Sequence, residues 1–227
     1  MQTTHLFQPQ PHIPLWLKYT VWAAILIISF IIENLTNLKV ASLFFVSILL
    51  ILFALGQYVY GQNLGFTFTE THFQQHLFKG GWVLHWTNMK RIDECKYDFQ
   101  GWCTPIPWIG IEIKDYQSCI ERMSPKIITQ ILLHQRSLLL LGLKQHGRQR
   151  EFEDHVMKDP PYLLPSGKRL LGLQAMLAHR MAIQKELWGF DLFIAEGDLI
   201  KPKEEFIGMA RRYLAASHSN QKITTKG

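Results

Sequence analysis

Leu15–Ile32, LWLKYTVWAAILIISFII, and Val40–Tyr60, VASLFFVSILLILFALGQYVY, are the stretches whose reading decides the fold. The second holds no charged residue. A bilayer core calls for roughly 20 apolar residues in helical form, and both runs approach that length. The polar segment Glu33–Lys39 between them is long enough to turn. The pair therefore reads as a two-helix transmembrane hairpin, Trp16 and Tyr19 forming an aromatic belt at one end and Tyr58 and Tyr60 at the other. The first run exceeds an ordinary signal-peptide core, and Glu33–Leu35 offers no small-x-small cleavage site, so an uncleaved anchor is expected. Lys18 lies near the tail and Lys79, Lys90 and Arg91 come after the hairpin, against Lys39 alone in the loop. That bias places both termini in the cytoplasm of a two-span protein of the bacterial inner membrane.

The whole chain has 227 residues and a formal net charge of +6. The part beyond the hairpin is long enough for one domain with a real core. The basic excess is mild and mixed with acids, as in Lys90-Arg91-Ile92-Asp93-Glu94, and no groove-binding motif accompanies it, which argues against nucleic acid. A basic face beside a membrane meets anionic headgroups instead. The three cysteines, Cys95, Cys103 and Cys119, have neither CxxC spacing nor an even count, so reduced thiols are expected; a Cys95–Cys103 bridge would need an oxidising compartment.

Residues 1–14 lack periodicity and read as a tail. From Gly61 the pattern takes strand period: Leu64, Phe66 and Phe68 alternate with Gly65, Thr67 and Thr69. His72–Phe78, a turn at Lys79-Gly80-Gly81, Trp82–Trp86 and Ile92–Phe99 continue it. Gln100–Pro107 reads as a breaker-rich loop before a strand at Trp108–Ile113. Ser124-Pro125 then announces a helix, with Ile127, Ile131 and Leu138 on one stripe and Ile128, Leu132 and Leu139 on the next. A break comes at His146-Gly147, then a polar stretch to Pro160-Pro161, a helix over Gly167–Leu187, a strand around Phe190–Ile194 and a last amphipathic helix after Lys201-Pro202. Residues 217–227 read as a disordered tail.

The phrases Phe66-Thr-Phe-Thr-Glu-Thr-His72, Trp82-Val-Leu-His-Trp86, Asn88 and Ile92, with Phe190–Ile194 and the Glu204–Leu214 helix, resemble the bacterial pleckstrin-homology-like domains that follow a membrane hairpin. Met89 stands where that family's phrase has its first Ile. The resemblance covers residues 61–113 and 188–216, and the whole chain also resembles a bacterial two-span membrane family of unknown function. It implies an α+β membrane protein: a transmembrane hairpin (15–32, 40–60), then a cytoplasmic pleckstrin-homology-like small β-barrel over 61–216 with a helical insertion at about 118–187 and a C-terminal capping helix.

Catalytic chemistry finds no foothold. P-loop, GxSxG, HExxH and dinucleotide fingerprints are missing from the sequence. His72 and His76 on a strand lie about 13 Å apart, too far to share a metal. His146, Glu151, Glu153, Asp154 and His155 read as a solvated linker. Trp82, Trp86 and Trp108 read as core or interface, and Trp102 as the exposed one. No enzyme, cofactor or metal is expected. The expected role is binding: an adaptor recognising anionic headgroups or a membrane protein through Lys79, Lys90, Arg91, Lys144, Arg148, Arg150, Lys168 and Arg169. The alternative is an accessory subunit of a membrane complex that docks through the helical insert.

Overall fold

The computed structural model describes residues 2–7, 45–53, 64–77, 80–99, 101–158 and 160–224. The chain divides into two compact units, Met1–Gln8 with Leu64–Gly227, and Pro9–Asn63. In the second unit residues 45–53 are helical (α1). Its Val46, Leu49, Leu50, Ile51 and Phe53 are 36% to 67% exposed.

The larger unit opens with an unexpected strand. Thr4–Phe7 (β1), inside the expected tail, pairs antiparallel with Gly65–Phe68 (β2), Phe7 standing opposite Gly65. The chain thus leaves this sheet and re-enters it at neighbouring points. His72–Leu77 (β3) and Gly80–His85 (β4) complete a four-stranded sheet in the order β1-β2-β3-β4. A turn at Trp86–Asn88 leads to Met89–Phe99 (β5) and Trp102–Ile113 (β6). These two long strands project as an arm, and only Trp108–Ile111 of β6 meets the third strand of that sheet, Leu192–Ala195 (β9). Pro105 and Pro107 are tolerated in β6 because, among the described residues, the strand has no partner there on its other side. Trp102–Pro107, within the expected loop, is accordingly a strand end, with Trp102 80% exposed at the tip.

The helices obey their signals. Ser124 caps Pro125–His134 (α3), its hydroxyl accepting from the Ile127 amide, after the short Tyr116–Ile120 (α2), capped by Asp115. The helical pattern breaks at Gln135 and resumes as Arg136–Gln145 (α4). Phe152–Val156 (α5) and a small hairpin of Tyr162–Leu163 (β7) and Arg169–Leu170 (β8) precede Gly172–Trp188 (α6). Gly189, at φ +75°, ends α6 in the left-handed conformation that glycine tolerates. Lys203–Thr224 (α7) runs through much of the expected disordered tail.

One core unites the first sheet, the base of the second and several helices. Phe66, Phe68, Phe73, Trp86 and Ile111 from the strands meet Ile127, Ile128 and Ile131 of α3, Ala175, Leu177, Ala178 and Met181 of α6, and Phe206, Ala210 and Leu214 of α7. The Phe206 ring stands edge-on to Phe66 at 4.8 Å and to Phe68 at 5.4 Å. Gly110 lets the Phe190 ring lie on the strand; a Cβ there would sit 2.3 Å from it.

These facts correct the expected fold class. Among the described residues no helix is long and apolar enough to cross a membrane. The described part of the apolar runs, α1, spans about 14 Å at 1.5 Å per residue, half a hydrocarbon core. The rest of Leu15–Ile32 and Val40–Tyr60 lies outside the described residues. In place of one barrel with an insertion, the strands form separate sheets, and the helices of 118–187 supply part of the common core. The chain is a mixed α+β fold.

Candidate functional site

The basic residues of the expected binding surface disperse over the molecule. Lys79 lies outside the described residues. Lys90 and Arg91, at the start of β5, turn onto the buried Glu112 of β6, at 2.7 and 3.5 Å, and Arg91 also covers the Phe190 ring. The Lys90 hydrogen bond holds the Glu112 carboxyl below its ordinary value. Lys185 of α6 joins Glu112 and the fully buried Asp191, and Asp191 also accepts from the Ile113 amide and the Tyr116 hydroxyl. Arg148 bridges Glu151 and Glu186, drawing the Glu151 carboxyl down to about 2. Lys168 pairs with Glu121. Lys144, Arg150 and Arg169 have no ion-pair partner among the described residues. Arg148, on Glu186, and Arg169, just before α6, mark opposite ends of that helix, about 25 Å apart at 1.5 Å per residue.

The histidines divide likewise. His72 faces His85 across β3 and β4, while His76 shares the Thr67 hydroxyl with His5 of β1. His155 joins the Arg148–Glu151 pair at 3.3 Å. Cys95 and Cys119 are buried and Cys103 is exposed, all three free. Burial pushes the Cys95 and Cys119 thiols up to about 12, so neither is a ready nucleophile.

The site that does converge is a cleft between the two sheets, closed on one side by α3. Its walls come from Gln75 and Leu77 of β3, Trp82 of β4, Trp108 of β6, Gln130, Ile131 and His134 of α3, Gln135, Leu192 and Phe193 of β9, and Asp198 in the turn after β9. It has a cavity volume of about 30 Å³, enough to admit water. Gln75 stands in phase with Phe73 on the inner face of β3 and is 4% exposed. The Trp82 indole N–H donates to Gln75 Oε1 at 2.9 Å, and Gln75 Nε2 donates to Asp198 Oδ2 at 3.3 Å. Because indole is donor-only, the Gln75 amide is held in this sense. Gln135 Nε2 donates to the Phe193 carbonyl at 3.3 Å. Gln130 Oε1 is buried with no hydrogen-bond partner among the described residues. Burial raises the Asp198 carboxyl above its ordinary value, opposed by His134 and the Gln75 amide.

A family described as "Protein of unknown function (DUF2982)" matches residues 66–216. The chain is a DUF2982 protein. Neither a curated protein nor a solved structure matches it. The match bears out membership of an uncharacterised family; it lends no support to the pleckstrin-homology-like or two-span readings. It runs without interruption through 118–187, so the helices expected to form an insertion belong to the DUF2982 domain. The domain also contains the whole cleft. Of the cleft residues, the sequence pattern singles out Trp82 and Trp108 as aromatic candidates, and Ile131, Leu192 and Phe193 only as members of a helix stripe and a strand. The one local signal for the others is Gln75, a polar residue on the buried phase of a strand.

Proposed function

We propose that this DUF2982 protein is a membrane-associated binding protein of the bacterial inner membrane, an adaptor whose domain engages a protein partner. The observation that carries the membrane part is α1. A helix apolar on every side belongs in a core or in lipid, and its large side chains are exposed in the isolated chain. Apolar surface of this kind marks a membrane or partner contact.

For the domain, a protein partner is favoured over anionic headgroups. Four of the eight basic candidates, Lys90, Arg91, Arg148 and Lys168, are engaged with carboxylates of the same chain. The described residues of the cleft, by contrast, present amides, aromatic rings, His134 and Asp198 rather than lysine or arginine. Leu133 and Leu140, exposed on α3 and α4, favour the second reading, an accessory subunit docking through its helices.

The test is fractionation followed by crosslinking. The full chain is expected to stay with membranes through an alkaline wash and to leave them in detergent. A photoreactive residue in place of Trp108 is expected to give a discrete adduct in membranes, and one at Leu140 none if the cleft is the contact. Release by alkali alone refutes the membrane part. Salt-sensitive flotation on anionic but not neutral vesicles, with no Trp108 adduct, restores headgroup binding.

A further inference from the structure

Among the described residues, one guanidinium is buried between α3, α4 and α6 without a counter-ion. Arg180, in the middle of α6, is 1% exposed. Its Nη1 donates to the Leu132 carbonyl at 3.5 Å, and its Nε has no hydrogen-bond partner among the described residues. The group facing it is a second cation. Leu139 and Leu143 of α4 meet Ile183 and Leu187 of α6 in one apolar seam. One turn nearer the start of both helices, the same stripes carry Arg136 and Arg180. Burial, and after it the charge of Arg136, accordingly lower the Arg180 guanidinium from its ordinary value. Arg136 is exposed, with its guanidinium 5.3 Å from the centre of the Phe152 ring of α5. Neither arginine forms an ion pair among the described residues.

The backbone adds to the same excess of positive charge. In an unbroken helix the Leu132 carbonyl would accept from the Arg136 amide. The break at Gln135 separates the two, and Arg180 takes the carbonyl. The negative end of α3 offsets part of the Arg180 charge, but the positive end of α4 begins at once, at Arg136. That end has no side-chain cap and no acid in its first turn. Two guanidinium groups and an uncapped helix N-terminus thus meet at one junction. Like charges repel there, and a buried charge is costly unless it is paired. The group that would complete the junction is an anion.

Charge narrows its class. A carboxylate would cancel one of the two guanidinium charges. A phosphate group carries about −1.5 to −2 at neutral pH, and its oxygens suit both the guanidinium fork and the amides of a helix start. The depth of Arg180 favours a single soluble group over the surface of a bilayer. We propose that the junction of α3 and α4 is a phosphate site, Arg180 holding the group from within and Arg136 leaving the Phe152 ring to close over it. A free phosphate ion and a small soluble phosphate ester present the same chemistry. The proposal does not rest on the adaptor reading, since none of its residues belongs to the crosslinking test.

The experiment uses the purified full chain in mild detergent with isotope-labelled arginine, read by nitrogen NMR at the arginine Nε–H groups. Inorganic phosphate is expected to shift the Arg180 and Arg136 resonances saturably, while acetate and chloride at equal ionic strength leave them in place. Arg136→Gln is expected to weaken phosphate binding at least tenfold, and Arg180→Met to abolish it. Phosphate should raise the urea midpoint of the natural chain and leave that of Arg180→Met unmoved. Should Arg180→Met fail to fold, Arg136→Gln decides, because its side chain is exposed. An equal response to acetate and phosphate, no response to phosphate, or unchanged affinity in Arg136→Gln overturns the proposal. Asp159 lies outside the described residues. Asp159→Asn is expected to leave the affinity unchanged; a tenfold gain would make that carboxylate the counter-ion and overturn the proposal. Glycerol phosphate distinguishes the two sources: tighter binding than inorganic phosphate supports an ester, and weaker binding supports the free ion.

Discussion

The sheet half and the helical half of the domain are built to different standards. Around β2–β4 and α7, buried polar atoms are matched: Trp86 Nε1 donates to the Thr69 carbonyl at 2.8 Å, Trp82 Nε1 to Gln75, and the Tyr213 hydroxyl to the Gln2 carbonyl. Between α3, α4 and α6 they are not. Gln184 is fully buried with neither amide atom partnered among the described residues, and Gln145 Oε1, Trp188 Nε1 and Arg180 Nε share that condition. Arg180 reaches the Leu132 carbonyl, at 3.5 Å in the last turn of α3, where the helix's negative end favours a cation. Burial, with Arg136 nearby, brings its guanidinium down to about 10. The sheet half is thus where stability is concentrated. The helical half carries polar groups that packing alone does not justify, and it supplies the wall of the cleft that holds another such group, Gln130.

The largest effect should come from the better-built half. Phe206 is fully buried and its ring lies within 6.3 Å of the rings of Phe66, Phe68 and Phe73. Phe206→Ala is expected to cost about 3–5 kcal/mol, the range for truncating a buried aromatic. Leu139→Ala, in the small cluster of α4 and α6, should fall near the low end of the aliphatic range, about 2 kcal/mol. Urea denaturation of both variants measures the difference. Equal losses would remove the distinction between the halves.

Legibility in the sequence divides in the same way, between local and distant causes. The alternation of Phe66 and Phe68, the Ser124-Pro125 start of α3, the break at Gly147 and the buried stripe of Phe206, Ala210 and Leu214 are each written within a few residues, and each forms. β1 is invisible in the sequence because its partner lies about 60 residues downstream, at Gly65–Phe68. Trp102–Pro107 reads as a loop because its two prolines speak against a strand, and only the three-dimensional arrangement shows that this end of β6 lacks a second neighbour. The first turn expected of the Gly167–Leu187 helix is instead the hairpin that closes at Gly167, φ +83°. The cleft draws on strands, a helix, a helix junction and a turn, so no window of sequence contains it.

A smaller effect, of opposite sign, tests the other half. Gln184→Leu removes an amide that has no partner among the described residues and keeps a side chain of similar volume. It is expected to stabilise by about 1 kcal/mol, because the desolvation cost disappears with the group. The midpoint of the urea transition should rise with an unchanged slope. A loss of stability would mean that Gln184 holds something, and would turn the loosely satisfied helical layer from a cost into a site.

The smallest effect concerns the outer face of the first sheet and has a definite sign. Burial, reinforced by His85, lowers His72 below its ordinary 6.5, and burial with His5 does the same to His76. The neutral forms are therefore the ones the fold prefers. Their contribution is fully present above pH 6.5, where folded and unfolded chains both hold neutral imidazole. It declines as pH falls from there through the depressed folded values, because the unfolded chain binds the protons first. His5 and His76 grip the Thr67 hydroxyl from either side, at 3.1 and 2.9 Å, so the strain of protonating His76 falls on the junction of β1 with β2. Urea midpoints taken between pH 7.5 and 5.5 should drop, and the drop should shrink in His76→Gln and His72→Gln. Amide exchange should quicken first in Thr4–Phe7. A midpoint that falls equally in the glutamine variants would assign the acid sensitivity to other groups and leave β1 fixed by its backbone ladder alone.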